Sequence, residues 1–151
     1  MKTSIALLPL LLLTAVAAPA RAMTGCDFVD GSHESIAFAL LALDARQRGE
    51  EGDAVLARAT PEKSDPAWHA AMARETVAEV FSDLHPIEPA VYTVYRGMVC
   101  YHAAQRPAEN VVVDYAAIHP ALAACELRPT PREQGQCAGE ALDNYFSAAA
   151  D

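Results

Sequence analysis

Residues 125–146 read CELRPTPREQGQCAGEALDNYF and carry the clearest structural signals in the chain. Thr130 and Glu133 have the spacing of a capping box, in which two side chains satisfy the free backbone N–H groups of a first helical turn. Pro131 fits the first helical position, where its missing N–H costs nothing. A helix is therefore predicted from Pro131 onward. Its apolar residues share one face and are Ala138, Leu142, Tyr145, Phe146 and Ala149.

The four cysteines, Cys26, Cys100, Cys125 and Cys137, allow three disulfide pairings. Cys125 and Cys137 flank residues 128–131, which read Arg-Pro-Thr-Pro. A helix that ends near Cys125 and another that begins before Cys137 would bring the two side chains together. This spacing favours a Cys125–Cys137 disulfide and leaves Cys26 to pair with Cys100. An even number of cysteines is typical of exported proteins with disulfides.

The rest of the chain has helical periodicity and almost no strand signal. The predicted helices span about residues 32–48, 66–84, 89–102, 107–127 and 131–149, with one short turn at 53–58. Residues 111–113 are three valines, but a single strand would have no partner, so this stretch is assigned to a helix that breaks or kinks at His119 and Pro120. The predicted fold is all-α: a compact bundle of about five helices, stapled by two disulfides.

The first 22 residues are predicted to be a secretory signal peptide. Lys2 supplies a positive start, residues 5–18 are apolar and rich in leucine, and residues 20–22 read Ala-Arg-Ala, a small-residue cleavage site. The apolar stretch is shorter than the roughly 20 residues of a membrane-spanning helix. Cleavage after Ala22 predicts a protein of the bacterial periplasm or exterior.

The mature chain is then residues 23–151, a single helical domain without a membrane span. A second way of processing stays open, because residues 23–26 read MTGC and weakly match the signal that precedes a lipidated cysteine. Lipidation of Cys26 would leave one cysteine without a disulfide partner, so simple cleavage is preferred.

Composition and charge restrict the partners. The chain has 151 residues, of which 52% are hydrophobic and 21% charged, and this is typical of one folded domain. Cleavage removes Lys2 and Arg21 and no acidic residue, which takes the net charge from −9 to −11. Nucleic acids and anionic lipids are held mainly by Lys and Arg, so neither is expected to bind.

No familiar catalytic or metal-binding motif occurs in the sequence. There is no C-x-x-C, no G-x-S-x-G, no glycine-rich phosphate loop and no H-E-x-x-H, and no two histidines are four residues apart. The sequence therefore predicts no catalytic residue, no metal ligand and no cofactor. This disfavours an enzyme without deciding the question.

Several side chains have both a functional and a structural interpretation. Asp65 and His69 have the spacing of a metal pair, of a carboxylate that orients an imidazole, or of an ordinary acidic helix start beside an exposed histidine. Cys100 and His102 are the residue types of a nucleophile and its base, but residues two apart on a helix do not face each other, and Cys100 is expected in a disulfide. Two interpretations apply to the polar aromatic residues of the third predicted long helix, which line a ligand groove or complete the core: Tyr92, Tyr95, Tyr101 and His102. Two interpretations also apply to Met72 and Met98, as soft metal ligands or as core residues. The structural interpretation is preferred for each group.

A resemblance covers at most residues 26–100. Cys26, a first helix that closes with Arg-Gln-Arg-Gly at residues 46–49, and Cys100 near the end of a later helix resemble a loose class of small secreted bacterial helical proteins. This class implies no function for the chain.

The favoured hypothesis is a non-enzymatic protein-binding module of the bacterial envelope, of the inhibitor or immunity type. A small, rigid, acidic bundle can cover the basic cleft of an envelope or secreted protein. The candidate partner-binding residues are acids expected on exposed positions: Glu50, Glu51, Asp53, Glu75, Glu79 and Asp83. The alternatives are an acid-stress or envelope-stress chaperone, and a carrier of a small ligand or metal.

Overall fold

The computed structural model describes residues 28–59, 67–106 and 112–148. The predicted signal peptide, Cys26 and Asp65 lie outside the described residues. The described part is all-helical, and its helices are α1 (Phe28–Gln47), α2 (Gly52–Arg58), α3 (Ala67–Val80), α4 (Pro89–Gln105), α5 (Tyr115–Cys125) and α6 (Pro131–Ala148). The all-α prediction is confirmed for these residues. None of the described helices is both long enough and apolar enough to span a membrane.

The signals predicted for the end of α1 and for the start of α6 are found in the structure. Gly49 ends α1 with φ +74°, a left-handed conformation that glycine adopts without steric cost. The Gly49 N–H donates to the Arg46 carbonyl and the Glu50 N–H to the Ala45 carbonyl, which together form a Schellman motif. At the start of α6 the Glu133 N–H donates to Thr130 Oγ1 over 3.3 Å, which confirms the Thr130 half of the capping box. The Glu133 carboxylate accepts from the Thr130 hydroxyl over 2.8 Å.

Helix α4 lies at the centre of the bundle, between α1 and α6. An added Cβ at Gly97 of α4 would lie 3.3 Å from Ile36 of α1, and one at Gly135 of α6 would lie 3.0 Å from Val94 of α4. Both neighbouring helices therefore approach α4 closely at glycines. Because His102, eight residues after Val94, contacts Asp143, eight residues after Gly135, α4 and α6 run in the same direction.

The main core surrounds α4. Helix–helix packing buries one face of each long helix, and this burial supplies most of the helical stability. Most of the α4 side of this core consists of Val91, Tyr92, Tyr95, Val99, Cys100 and Ala103, and the other helices add Ala39, Ala42, Leu43, Trp68, Met72, Val80, Ile118, Leu122, Cys125, Ala138, Leu142 and Phe146.

Three details of the fold prediction are corrected. The described residues form six helices rather than about five, because residues 52–58 complete a helix of their own instead of one short turn. Val112 and Val113 are not helical, and α5 begins only after Asp114, whose carboxylate accepts from the Ala117 N–H. The helix predicted to reach Leu84 ends at Val80.

The predicted Cys125–Cys137 disulfide is confirmed, with a Cα–Cα distance of 5.5 Å. It joins the C-terminal end of α5 to the second turn of α6. The second predicted disulfide includes Cys26, which lies outside the described residues, so the structure supports one staple and the second stays a prediction.

Candidate functional site

A charged cluster lies buried between α3 and α4. Arg96 of α4 is 1% exposed, and its Nη1 donates to Glu79 Oε1 of α3 over 3.1 Å. Its Nη2 lies 3.4 Å from Glu75 Oε2, one turn earlier on α3. Tyr92 and Tyr95 donate their hydroxyls to the two carboxylate oxygens of Glu79 over 2.7 and 2.9 Å. Both oxygens of Glu79 are thus satisfied inside the protein.

The environment of this cluster shifts the pKa values of its members. Burial, reinforced by the negative charge of Glu79, raises the pKa of Tyr92 and Tyr95 well above 10. Burial acts to lower the pKa of Arg96, but Glu79 and the surrounding groups more than offset it and raise this pKa overall. Burial also raises the pKa of Glu75, against the opposing effect of Arg96. The cluster therefore holds a protonated Arg96 and two neutral phenols, all of which donate hydrogen bonds to Glu79.

Three of the five tyrosines are expected not to ionise near pH 10. Burial also raises the pKa of Tyr115, and the contribution of Tyr92, Tyr95 and Tyr115 to stability is fully present below pH 10 and is lost as the pH rises through their raised values. In an ultraviolet titration, the absorbance change of these three should appear only with the loss of helical circular dichroism. Ionisation of all five near pH 10 in a folded protein would contradict this, and Tyr115→Phe should remove a third of the late phase.

The six predicted partner-binding acids occupy three different environments. Glu79 is not exposed as expected: its side chain is only 10% accessible, because Arg96 and the tyrosines enclose it. Glu75 is half-buried beside it. Glu50 is held by Arg48 and Arg58, and these hydrogen bonds lower its pKa.

The other three acids, Glu51, Asp53 and Asp83, are exposed. Gly52 packs so tightly on α3 that an added Cβ would lie 2.9 Å from Val77 and 3.2 Å from Phe81. Its neighbours Glu51 and Asp53 are thereby placed beside the C-terminal end of α3, and Asp83 follows two residues after Phe81. We call these three residues the acidic end.

An open apolar groove lies over α4, between α1 and α6. It has a volume of about 600 Å³ and is lined by Ser32, Ile36, Val94, Gly97, Met98, Tyr101 and Asp143. We call it the α4 groove. Leu40, one turn after Ile36 on the same side of α1, is 47% exposed and extends the apolar surface.

The remaining sequence candidates fall at the edges of these features. His102 Nε2 lies 3.0 Å from Asp143 Oδ1, and the centre of its ring lies 4.3 Å from that of the tilted Phe146 ring, so His102 connects α4 to α6. Met72 is a core residue, as preferred, whereas Met98 is half-buried and lines the α4 groove.

His69 contacts Glu34 of α1. Its predicted partner Asp65 lies outside the described residues. Within the described ranges, no three His, Cys, Asp or Glu side chains come close enough together to hold a metal ion.

Sequence reasoning missed Arg96 and the glycines that shape the groove. Arg96 directly follows Tyr95, in a stretch whose other buried positions are mostly apolar. The sequence feature that could have indicated its burial is this charged residue beside an apolar stripe. Comparison with known proteins gives no assignment, since no protein-family model, no curated protein and no solved structure matches the chain.

Proposed function

We propose that the chain is an exported, non-enzymatic protein-binding module of the inhibitor or immunity type, acting in the bacterial periplasm or outside the cell. The observation that carries the proposal is the α4 groove, an open apolar surface on an acidic protein. A concave, mostly apolar surface with a few polar side chains is a usual place for another molecule to dock. The buried cluster and the Cys125–Cys137 disulfide support the same function, because a rigid surface loses little conformational entropy on binding.

The acidic end indicates the charge of the partner. Glu51, Asp53 and Asp83 are exposed, and the whole chain has a net charge of −9. Such a surface attracts a basic protein from a distance and accelerates its association. Glu50 contributes less to this attraction, since Arg48 and Arg58 neutralise it.

Capture of a partner tests the proposal. The oxidised protein, immobilised, is exposed to envelope extract and culture supernatant of the source bacterium and washed at increasing salt. One stoichiometric basic protein, released by salt, is the expected result. If nothing is retained at any ionic strength, the proposed function is wrong.

The acidic end should control the association rate with that partner. Reversing its charges in Glu51→Lys/Asp53→Lys/Asp83→Lys should slow association roughly tenfold at low salt. The neutral triple variant, Glu51→Gln/Asp53→Asn/Asp83→Asn, should lie between this variant and the original protein. Stopped-flow or surface-plasmon kinetics measure the effect, and the three proteins should converge at high salt. Equal association rates at low salt would show that the acidic end is not part of the binding surface.

Glu50 and Glu75 respond to acid in opposite ways, which bears on the chaperone alternative. That alternative requires acid to loosen the bundle. The pKa of Glu75 is raised in the folded state, so its contribution to stability is present below the ordinary value of 4.5 and is lost as the pH rises through the raised value. Protonation of Glu75 therefore favours the folded bundle, whereas Glu50, whose pKa is lowered, makes a contribution to stability that is lost in acid.

A further inference from the structure

We propose that the α4 groove accepts a basic amphipathic helix from the partner. This inference rests on the proposed function and specifies the part of the partner that is bound. The groove floor runs from Val94 to Tyr101, which is two turns of α4 or roughly 10 Å. A helix laid along it would insert apolar side chains spaced i, i+3 or i+4, and i+7.

The backbone of the groove favours a helix over an extended peptide. Its lining residues belong to α1, α4 and α6, whose backbone N–H and C=O groups are used within their own helices. An extended segment would find no sheet edge here and would bury its own backbone groups without partners. A helix satisfies its backbone internally and needs only apolar contact with Ile36, Val94 and Met98.

Small residues allow the close approach that such packing requires. Gly97 lies in the groove floor. On α6, Gly139 lies one turn before Asp143 on the same side, and a Cβ added at Gly139 would meet nothing within 4 Å. The α6 wall is therefore low beside Asp143, and an incoming helix has room there.

The charge of the groove selects a basic helix. Asp143 lines the groove, and although its Oδ1 contacts His102, its side chain is 59% exposed. This carboxylate would face the polar flank of a docked helix, where lysine or arginine would be attracted to it. A second copy of this chain is a poor occupant, because both copies carry a net charge of −9 and repel each other.

The test uses a defined peptide as the probe. An 18-residue synthetic helix of leucine and lysine, with the leucines on one face, is titrated with the oxidised full protein and followed by fluorescence anisotropy. Two controls accompany it: a scrambled peptide of the same composition, and a version with glutamate in place of lysine. Methyl NMR spectra of the protein report where the peptide binds. The expected result is binding of the basic amphipathic peptide alone, with shifts at the Ile36, Val94 and Met98 methyl groups.

A matched pair of variants at Gly139 makes the test specific. Gly139→Lys places a long cation on the low wall and should weaken peptide binding at least tenfold. Gly139→Ala changes helix propensity in a similar way without filling the groove, so it should bind within twofold of the original protein. Circular dichroism should show both variants to be folded, because an added Cβ meets no neighbour.

Several results would overturn the inference. These are no peptide binding, equal binding of the scrambled or acidic peptide, equal binding by Gly139→Lys, methyl shifts confined to another surface, or a dimer of the chain that Gly139→Lys dissociates. If the partner from the capture experiment binds Gly139→Lys unchanged, the groove inference is wrong while the proposed function stands. If no partner is captured, the proposed function itself is wrong.

Discussion

Arg96→Met should destabilise the protein by about 3–5 kcal/mol, the range measured when one partner of a buried ion pair is removed. Arg96 is buried, and Glu79 would lose its only cationic hydrogen-bond donor in the described part of the chain while staying 10% exposed. Methionine fills much of the volume of the arginine stem, so the loss reports mainly on the stranded carboxylate. Urea denaturation followed by circular dichroism measures the change in the free energy of unfolding.

Two further variants separate charge from packing. Arg74→Met replaces an exposed arginine on α3 and should change stability by no more than about 0.5 kcal/mol. The double variant Arg96→Met/Glu79→Gln also removes the charge of Glu79 and should be more stable than Arg96→Met alone, because the most deeply buried carboxylate of the cluster is then absent. A loss below about 1 kcal/mol in Arg96→Met would show that the cluster is not a closed ion pair in solution.

Removal of the Cys125–Cys137 disulfide should cost about 3 kcal/mol, since cross-linking a loop of this length restricts the unfolded chain by that amount. The two cysteines are 12 residues apart in sequence. The variant Cys125→Ala/Cys137→Ala keeps the side chains small, so little besides the cross-link is lost. The measurement is urea denaturation under oxidising conditions, against the original protein.

The same variant also tests the predicted Cys26–Cys100 disulfide. If that disulfide forms, the denatured variant contains no thiol that reacts with an alkylating agent, and adding a reductant lowers its stability further. Two reactive thiols in the oxidised variant would contradict the prediction. An unchanged free energy of unfolding in the variant would show that the Cys125–Cys137 staple does not constrain the unfolded chain.

The features that could be predicted from the sequence are those decided by neighbouring residues. The Thr130 cap of α6, the Gly49 terminator and the Cys125–Cys137 pair each depend on residues within one turn or one short loop. Local sequence patterns also give wrong predictions where the same residues suit two kinds of secondary structure. The valines before Asp114 suit either a strand or a helix, and the Asp114 cap starts α5 only after them.

The candidate site was beyond sequence reasoning because it depends on contacts between distant residues. Glu75 and Glu79 have the spacing of exposed acids on a helix, and only the position of Arg96, some twenty residues later, turns them inward. Similarly, the α4 groove exists because α1 and α6 pack on opposite sides of α4. The periodicity of a single helix does not indicate which part of its surface the neighbouring helices leave uncovered.

A substitution at Gly135 would change the shape of the α4 groove without changing any residue that lines it. An alanine there would place its methyl group 3.0 Å from Val94 Cγ2, so either Val94 rotates or α6 moves outward. Val94 lines the groove, and in both cases the surface presented to a partner changes shape. Gly135 itself is buried beneath that surface. Evolution could therefore retune which partner fits by changing a position that no partner touches, while every contact residue keeps its identity.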